Sequence, residues 1–202
     1  MRRVFLVAVV VMFLPTLVIA DGKKKSGKNA AAEKKEPKEI QWITSIDELQ
    51  AKMAKKPKKV YMDVYTDWCG WCKKMDASTF TNPNVIKYLN LNYYCFRFNA
   101  ERRDTLHFLG KDYYFIPEYK CNKLAAELMK GQMSYPTTIL MVEKFENAQN
   151  IPGYLTVSQI EPILTYFGDN TYKHETWENY SKSHKSTWDN GAAPDMTPPP
   201  GH

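Results

Sequence analysis

Hydrophobic and polar positions follow two different periods along the middle of this chain. Between residues 46 and 55 the apolar positions recur every three or four residues, and Ser45 with Glu48 has the spacing of an N-terminal capping box, so a helix is predicted there. Elsewhere, short runs rich in β-branched and aromatic residues are typical of buried strands. Three such runs predict strands at 60–65, 93–98 and 137–142.

Further apolar stripes are bounded by recognisable start and stop signals. Asn82 before Pro83 marks the beginning of a helix, and Gly131 marks the end of another. Additional helices are predicted at 69–78, 83–89, 124–130 and 157–167. We expect an edge strand at 147–153 and a hairpin turn at 110–112. Helices and strands that alternate in this order predict an α/β sandwich.

The first twenty residues differ from the rest in charge and hydropathy. Arg2 and Arg3 precede an apolar run at 4–14, and small residues follow at the spacing that signal peptidase prefers. This pattern predicts a signal peptide at 1–20, cleaved after about Ala20, and therefore a periplasmic or secreted protein. An uncleaved membrane anchor is the alternative, but the apolar segment would span only about 25 Å as a helix, which is short for a hydrocarbon core.

Polar segments flank the predicted globular domain, which we place at 40–168. Residues 21–39 hold seven lysines among Gly, Ala and Glu, which predicts a disordered linker, with binding to an anionic membrane surface as the alternative. Residues 169–202 form a polar tail that ends in prolines, and we expect its last dozen residues to be disordered. Four aromatic side chains early in the tail are available to dock on the domain: Tyr172, Trp177, Tyr180 and Trp188.

Composition narrows the functional class. The chain has 202 residues, of which 44% are hydrophobic and 13% aromatic, as in an ordinary globular domain with extensions. Its 28 basic and 22 acidic residues give a net charge of +6, which is too weak to indicate a nucleic-acid partner. Composition and charge alone therefore do not indicate a function. The evidence for one has to come from individual side chains, and the cysteines provide most of it.

Cys69 and Cys72 are the strongest candidates for catalysis. Three residues apart on a helix, their side chains share a face and lie within reach of a disulfide. Cys69 falls in the first turn, where free backbone N–H groups and the helix dipole stabilise a thiolate. We therefore expect Cys69 to be an exposed attacking sulfur and Cys72, one turn deeper, to resolve the mixed disulfide.

A cysteine pair with this spacing also occurs in zinc sites and structural disulfides. No second pair exists in the sequence, because Cys95 and Cys121 stand alone and the four histidines are scattered, so a closed zinc shell is hard to assemble. We expect Cys95 to be a buried, inert thiol and Cys121 to be more exposed, and a disulfide between them stays an open alternative. Asp63, six residues before Cys69, places a carboxylate in an otherwise apolar strand.

Several features in one order carry a resemblance to a known family. The segment 59–75, KVYMDVYTDWCGWCKKM, is followed by Tyr135-Pro136-Thr137 and then by Gly153-Tyr154-Leu155. Together they resemble the active-site segment, the cis-proline loop and the last-strand glycine of the thioredoxin superfamily. The segment is also similar to that of exported thioredoxin-like proteins with a W-C-x-W-C-K core, including the C-terminal domain of the transmembrane reductant conduit. This resemblance implies a thioredoxin-like α/β fold, with a central mixed sheet flanked by helices on both faces.

The resemblance also implies roles for individual residues. Asp63 corresponds to the buried aspartate that relays protons for the resolving cysteine. Arg97 falls near the family lysine that pairs with this aspartate, and an orientation toward solvent is the alternative. Trp68 corresponds to the aromatic residue that shields the disulfide.

The implied substrate groove lies beside the cysteines. Pro136 is expected to follow a cis peptide bond and to place the backbone of Tyr135 opposite Cys69, where it pairs with an extended substrate segment. The residues between the cysteines tune the redox potential. The implied substrate-binding residues are Trp68, Gly70, Trp71, Tyr135 and Pro136.

Three functional classes follow from these residues. The leading hypothesis is an exported thiol–disulfide oxidoreductase that reduces protein disulfides with Cys69, Cys72 and Asp63 as catalytic residues. It needs no bound cofactor or metal, acts as a monomer, and is recharged by an upstream redox partner such as a membrane reductant conduit. The alternatives are a non-catalytic module that binds extended peptides and a copper metallochaperone that uses both cysteines as ligands. An insertion at about 102–120 is either a substrate-selecting flap or a packed hairpin.

Overall fold

The computed structural model describes residues 37–189 and 196–199. The predicted signal peptide at 1–20 lies outside these residues, as does the predicted linker except for its last three positions. Most of the predicted disordered end of the tail, 191–195 and 200–202, also lies outside them. Within the described residues, no helix is long and apolar enough to cross a membrane.

Five strands, numbered by their place in the chain, form a mixed sheet. Across the sheet they are β1 (Trp42–Ile43), β3 (Tyr93–Asn99), β2 (Lys59–Tyr65), β8 (Thr137–Val142) and β9 (Glu146–Pro152). β1 and β2 run parallel to β3, whereas β8 is antiparallel to β2 and β9. The three predicted buried strands and the predicted edge strand are confirmed, and the short strand β1 is an addition.

Helices cover both faces of this sheet. They are α1 (Ile46–Lys55), α2 (Gly70–Ala77), α3 (Pro83–Asn92), α4 (Lys123–Leu128) and α5 (Val157–Gly168). α1 and α4 contribute to one hydrophobic core, and α2, α3 and α5 contribute to the other. The predicted α/β architecture is confirmed.

The sheet separates these two cores, and alternate side chains of each strand belong to one core or the other. On β2, Val60, Met62 and Val64 belong to the core of α1 and α4, whereas Tyr61 belongs to the opposite core. Successive side chains of a strand point to opposite faces of the sheet, so the odd-numbered positions of β2 face the side where α2 packs. Asp63 is one of these odd positions, which places its carboxylate on the face covered by the helix that carries Cys72.

Local capping explains where the helices begin and end. Ser45 accepts a hydrogen bond from the Glu48 N–H, so the predicted cap of α1 is present. A full reciprocal capping box forms instead at α5, between Thr156 and Gln159. α4 ends at Leu128, two residues before the predicted end, because Lys130 and Gly131 adopt left-handed backbone conformations.

The predicted insertion folds into two small hairpins. β4 (Leu106–Phe108) pairs with β5 (Lys111–Tyr113), and β6 (Phe115–Ile116) pairs with β7 (Cys121–Asn122). The first hairpin packs on α1: the Gln50 side chain accepts from the Leu109 N–H and donates to the His107 carbonyl. The packed-hairpin alternative is therefore correct for this first half of the insertion.

The described part of the tail folds back onto the domain. A short helix, α6 (Trp177–Ser183), lies against α5, where the rings of Trp177 and Tyr180 are 5.3 and 5.2 Å from that of Tyr166. The Trp188 ring lies 5.1 Å from that of Tyr88 on α3. The predicted docking of the tail aromatic residues is thus confirmed for these side chains.

A buried carboxylate holds the tail in place. Glu161 of α5 is 2% exposed and accepts hydrogen bonds from the Ser186 hydroxyl, from the N–H and hydroxyl of Thr187, and from the Trp188 N–H. Burial opposes ionisation of Glu161, but the hydrogen bonds from Ser186, Trp188 and Thr187 outweigh it and hold its pKa below the ordinary value. An ionised Glu161 is therefore the anchor of residues 186–188.

Replacing this anchor is expected to release the tail. Glu161→Ala should lower the free energy of unfolding by about 2 kcal/mol or more, because several buried hydrogen bonds are lost together. It should also speed cleavage by trypsin after Lys182 and Lys185. Since the pKa of Glu161 is depressed in the folded state, its contribution is present above the ordinary carboxyl pKa and is lost as pH falls through the folded value.

The matched control is Glu178→Ala, which removes an exposed carboxylate that pairs with Lys182 across one turn of α6. This control should leave the free energy of unfolding nearly unchanged. Equal tryptic cleavage rates for the Glu161→Ala variant and the unmodified protein would show that Glu161 does not hold the tail.

Candidate active site

The cysteine pair lies where β2 ends and α2 begins. Cys69 is the N-cap residue of α2, and Cys72 is in its first turn. A disulfide joins them, with their Cα atoms 5.3 Å apart. The Cys72 N–H donates a hydrogen bond to Cys69 Sγ at 3.0 Å. Cys69 Sγ therefore occupies the position at a helix N-terminus where a backbone N–H and the helix dipole stabilise negative charge.

Both cysteines are buried in this disulfide form. Cys69 is 2% and Cys72 3% exposed, so the expectation of an exposed Cys69 sulfur is wrong for the oxidised state. The disulfide bond itself removes part of each sulfur's accessible surface, and the Cys72 N–H contacts Cys69 Sγ. Trp68 is the accessible residue here, because its side chain is 63% exposed.

Aromatic pairs border the cysteines on two sides. The Trp68 ring meets that of Tyr135 edge to face, with centroids 5.9 Å apart. The Trp71 ring lies 5.3 Å from that of Tyr154. Gly70, the other residue between the cysteines, is the first residue of α2. Of the residues assigned to the substrate groove, Trp68, Gly70 and Trp71 thus adjoin the cysteines along the chain, and Tyr135 contacts Trp68.

The loop before β8, which contacts Trp68 through the Tyr135 ring, is held by hydrogen bonds. The Tyr135–Pro136 peptide bond is cis, and Pro136 is buried. The Pro136 carbonyl accepts a hydrogen bond of 2.8 Å from the Gly153 N–H, and the Thr137 hydroxyl donates to the Ser134 carbonyl. The two later sequence features that carried the resemblance, around Pro136 and Gly153, are therefore joined directly by a backbone hydrogen bond.

Asp63 is a buried carboxylate under the active-site helix. Its side chain is 2% exposed, and its Oδ2 lies 3.3 Å from Nε of Arg97, its neighbour in the parallel pairing of β2 with β3. Burial raises the pKa of Asp63 to about 7; the Arg97 charge opposes this rise and the Asp76 charge adds to it. A carboxyl group with this pKa exchanges a proton near neutral pH, which general acid–base catalysis requires. Of the two orientations expected for Arg97, the structure has the one toward Asp63.

Asp76 is a further residue of the site, which the sequence pattern did not predict. Its Oδ2 accepts a hydrogen bond of 2.6 Å from Arg97 Nη2, so the guanidinium links Asp63 and Asp76. Asp76 lies on α2 four residues after Cys72, on the same face of the helix. The i, i+4 spacing of Cys72 and Asp76 on α2, together with the Arg97 cation on β3, is the sequence feature that could have indicated this contact. Arg97 is held further by the Tyr65 ring, 4.7 Å from its guanidinium carbon.

Removing the Asp76 charge is expected to lower the pKa of Asp63. In Asp76→Asn, one negative charge that raises this pKa is gone, and Arg97 loses its competing ionic partner. The carboxyl carbon shift of Asp63, followed by NMR titration of the oxidised protein, measures the change. The control is Asp67→Asn, which removes an exposed carboxylate nearby. A pKa of Asp63 that stays at the unmodified value in Asp76→Asn contradicts this electrostatic description.

The two remaining cysteines are joined neither to each other nor to the Cys69–Cys72 disulfide. Cys95 and Cys121 are both free and buried, and they belong to the two separate cores. The alternative of a disulfide between them is therefore wrong, and so is the expected exposure of Cys121, which is 0% exposed. Burial raises the pKa of the Cys95 thiol to about 12, in keeping with the predicted inert thiol. Among the described residues, no group of three or more metal-ligating side chains is present.

Comparison with known sequences decides the family. The sequence model of a family described as a thioredoxin-like domain matches residues 46–168. The chain belongs to this thioredoxin-like family. The predicted superfamily and the predicted thioredoxin-like fold are thereby confirmed, and a disulfide of C-x-x-C spacing in such a domain matches thiol–disulfide oxidoreductase activity.

More distant similarities are found to individual proteins and solved structures. The thiol:disulfide interchange protein DsbD of Haemophilus ducreyi is 48% identical over 48 residues, which are 23% of this chain and 8% of that protein. The thioredoxin-like chain thus spans a small part of the length of this relative. The reduced C-terminal domain of Neisseria meningitidis DsbD is 20% identical with a TM-score of 0.39, over 64% of this chain and 98% of that one. A thioredoxin-fold protein from Helicobacter pylori is 16% identical with a TM-score of 0.45, over 70% and 82%.

Proposed function

We propose that this protein is an exported thiol–disulfide oxidoreductase that reduces disulfides in other proteins. The observation that carries the proposal is the position of Cys69 Sγ at the N-terminus of α2, within hydrogen-bond distance of the Cys72 N–H. The buried Asp63, with a pKa of about 7, adds a proton acceptor on the sheet face that α2 covers. A stabilised thiolate, a second thiol one turn away and a nearby base are the parts that disulfide exchange requires.

The reaction begins from the reduced dithiol. The Cys69 thiolate attacks one sulfur of the substrate disulfide, so that a Cys69–substrate disulfide forms and the other substrate sulfur leaves as a thiolate that takes up a proton. Cys72 then gives its proton to the Asp63 carboxylate and attacks Cys69 Sγ. This step forms the Cys69–Cys72 disulfide and releases the second substrate sulfur. Two electrons pass to the substrate, and no further cofactor is required.

The reductive direction requires a partner that restores the dithiol. Such a partner is itself a dithiol that is oxidised as Cys69–Cys72 is reduced, so electrons balance. The DsbD match supports a thiol:disulfide interchange protein as this donor, and the apolar N-terminal segment supports a location outside the cytoplasm. We further propose that the protein acts as a monomer, because one chain supplies all the residues of the proposed mechanism.

Substrate binding is assigned to the groove around the disulfide. The exposed Trp68 ring and the Tyr135 backbone before Pro136 border the position from which a substrate disulfide approaches Cys69. Gly70 and Trp71, between the cysteines, complete the border on the side of α2. An extended substrate segment pairs with exposed backbone in such a groove, so its main chain contributes affinity and its side chains contribute selectivity.

Turnover of a protein disulfide tests the proposal. The mature protein, kept reduced by a small dithiol, is expected to accelerate the reduction of insulin well above the rate with the dithiol alone. Cys95→Ser, which changes a buried cysteine in the same core as α2 but outside the site, is the matched control and should retain this activity. No acceleration by a folded protein whose dithiol state is verified by thiol labelling would contradict the proposed activity.

A further inference from the structure

A cleft of about 550 Å³ opens beside the cysteine pair, between the active-site loop and the insertion. Asp67, two residues before Cys69, and Glu101, just after β3, line it at one end. Arg103 and Phe115 line it from the insertion side, together with Lys120 in the turn between β6 and β7. The second half of the insertion therefore contributes to a surface next to the proposed reaction centre.

The end of the cleft near the cysteines is tied to the active site by a hydrogen bond. The Trp68 ring N–H donates to Glu101 Oε1 at 3.0 Å. This bond partly satisfies the Glu101 carboxylate and fixes the ring that directly precedes Cys69. The Trp68 ring therefore links the residue next to Cys69 to Glu101 in the wall of this cleft.

The other end of the cleft is positively charged. The Arg103 guanidinium carbon lies 4.5 Å from the centre of the Phe115 ring, which holds this cation at the cleft wall. Lys120 is exposed in a left-handed backbone conformation at the tip of the turn. In the part of the chain that the structure describes, neither cation forms an ion pair with a carboxylate. Arg103 on the Phe115 ring and Lys120 in the following turn thus place two such cations on the cleft wall, which favours negatively charged side chains.

Hydrogen bonds fix the insertion to the end of β3. The Asn122 N–H donates to the Ala100 carbonyl at 2.7 Å, and its side-chain amide donates to the carbonyls of Asp104 and Tyr113. The turn itself is closed by backbone hydrogen bonds from Tyr119 to Ile116 and from Lys120 to Pro117. The cleft is therefore preorganised, which lowers the entropic cost of binding.

Exposed aromatic rings lie beside both ends of the cleft. Trp68 follows Asp67 and Tyr119 precedes Lys120, and each of these two aromatic side chains is 63% exposed. Tryptophan, tyrosine and arginine are the residues that contribute most to protein–protein binding energy. A macromolecular partner fits such a surface better than a small solute does.

We propose that this cleft selects protein substrates that carry an acidic segment close to the reactive cysteine. The proposal rests on the proposed function and adds to it the class of substrate. Acidic side chains bind Arg103 and Lys120, whereas Asp67 and Glu101 repel a carboxylate immediately beside the cysteine. The cleft begins at Asp67, two residues before Cys69, and an extended peptide advances ~3.3 Å per residue, so we place the acidic residues about three positions from the cysteine.

Peptide disulfides of matched sequence test this selectivity. Three peptides differ only in a Glu-Glu, Lys-Lys or Gln-Gln pair placed about three residues from the cysteine. The reduced protein should react about tenfold faster with the Glu peptide than with the Lys peptide at low ionic strength. This is the ratio of rates that the binding energy of two exposed ion pairs can account for. The preference should shrink at about 1 M salt, because the charges are screened.

Two double variants locate the selectivity. Arg103→Gln with Lys120→Gln should reduce the preference for the Glu peptide to about twofold or less, while the rate with the Gln peptide is retained. Lys55→Gln with Lys111→Gln removes the same charge from exposed positions outside the cleft and should keep the preference. Equal rates for the three peptides, or a preference that survives in the first variant, would overturn the substrate proposal. If the Gln peptide and insulin are not reduced either, the proposed function itself fails.

Discussion

A Cys72→Ser variant is expected to accumulate as a covalent complex with its substrate. In this variant Cys69 still attacks a substrate disulfide, but no second sulfur displaces the substrate from Cys69, so the reaction stops at the mixed disulfide. The expected yield is close to one substrate per protein, seen as a mass increase that a reducing agent reverses. Turnover of insulin should fall to the background rate, because the catalytic cycle needs both sulfurs.

The Cys69→Ser variant distinguishes the two cysteines. It should lose both turnover and the covalent complex, because Cys72 lies in the first turn of α2 and lacks the N-cap position that stabilises the Cys69 thiolate. Peptide mapping of the complex should place the substrate on Cys69. A stable complex on Cys72 in the Cys69→Ser variant would reverse the assigned roles of nucleophile and resolving cysteine.

An Asp63→Asn variant is expected to be more stable than the unmodified protein at pH 8. The pKa of Asp63 is about 7 in the folded protein and 3.8 as the ordinary value, so the folded state keeps a proton that the unfolded state releases between these pH values. The contribution of Asp63 to the stability of the unmodified protein therefore falls as pH rises through this window, by about 4 kcal/mol. Asparagine carries no such proton, so the stability difference in favour of the variant should grow over the same window.

Denaturant unfolding of the oxidised protein at several pH values between 4 and 8 measures this difference. Asp67→Asn is the matched control: this carboxylate is exposed, so its removal should leave the pH dependence of unfolding unchanged. The same Asp63→Asn change should slow resolution of the mixed disulfide about a hundredfold near neutral pH, since the base is lost. A stability difference that is independent of pH would show that Asp63 does not carry the buried proton.

Much of the fold was predictable because its signals are local. The runs of β-branched and aromatic residues predicted the bounds of β2, β3 and β8 to within about one residue. This was possible because each strand is buried on both faces and few polar residues interrupt it. The caps of α1 and α3 were likewise readable from Ser45 and Asn82, whose side chains accept the expected backbone hydrogen bonds.

The parts that were missed depend on contacts between distant segments. Asp76 and Glu161 look like surface carboxylates in the sequence, and only the fold brings Arg97 to the first and residues 186–188 to the second. The burial of Cys121 follows from the second hairpin of the insertion, which places it against α4 and the sheet. The same hairpin builds the cleft beside Trp68, and no local pattern in 102–120 indicates that placement.

The reduction potential of the Cys69–Cys72 pair tests the central claim most directly. The mature protein is equilibrated with thiol–disulfide buffers of graded potential, and the fluorescence of Trp68 and Trp71 reports the redox state. We expect one reversible two-electron transition near about −270 mV, as in a reductase of the thioredoxin type. A potential near about −120 mV would contradict the reductive direction and indicate an oxidant. Absence of reversible exchange would contradict the enzyme and leave the peptide-binding module in its place.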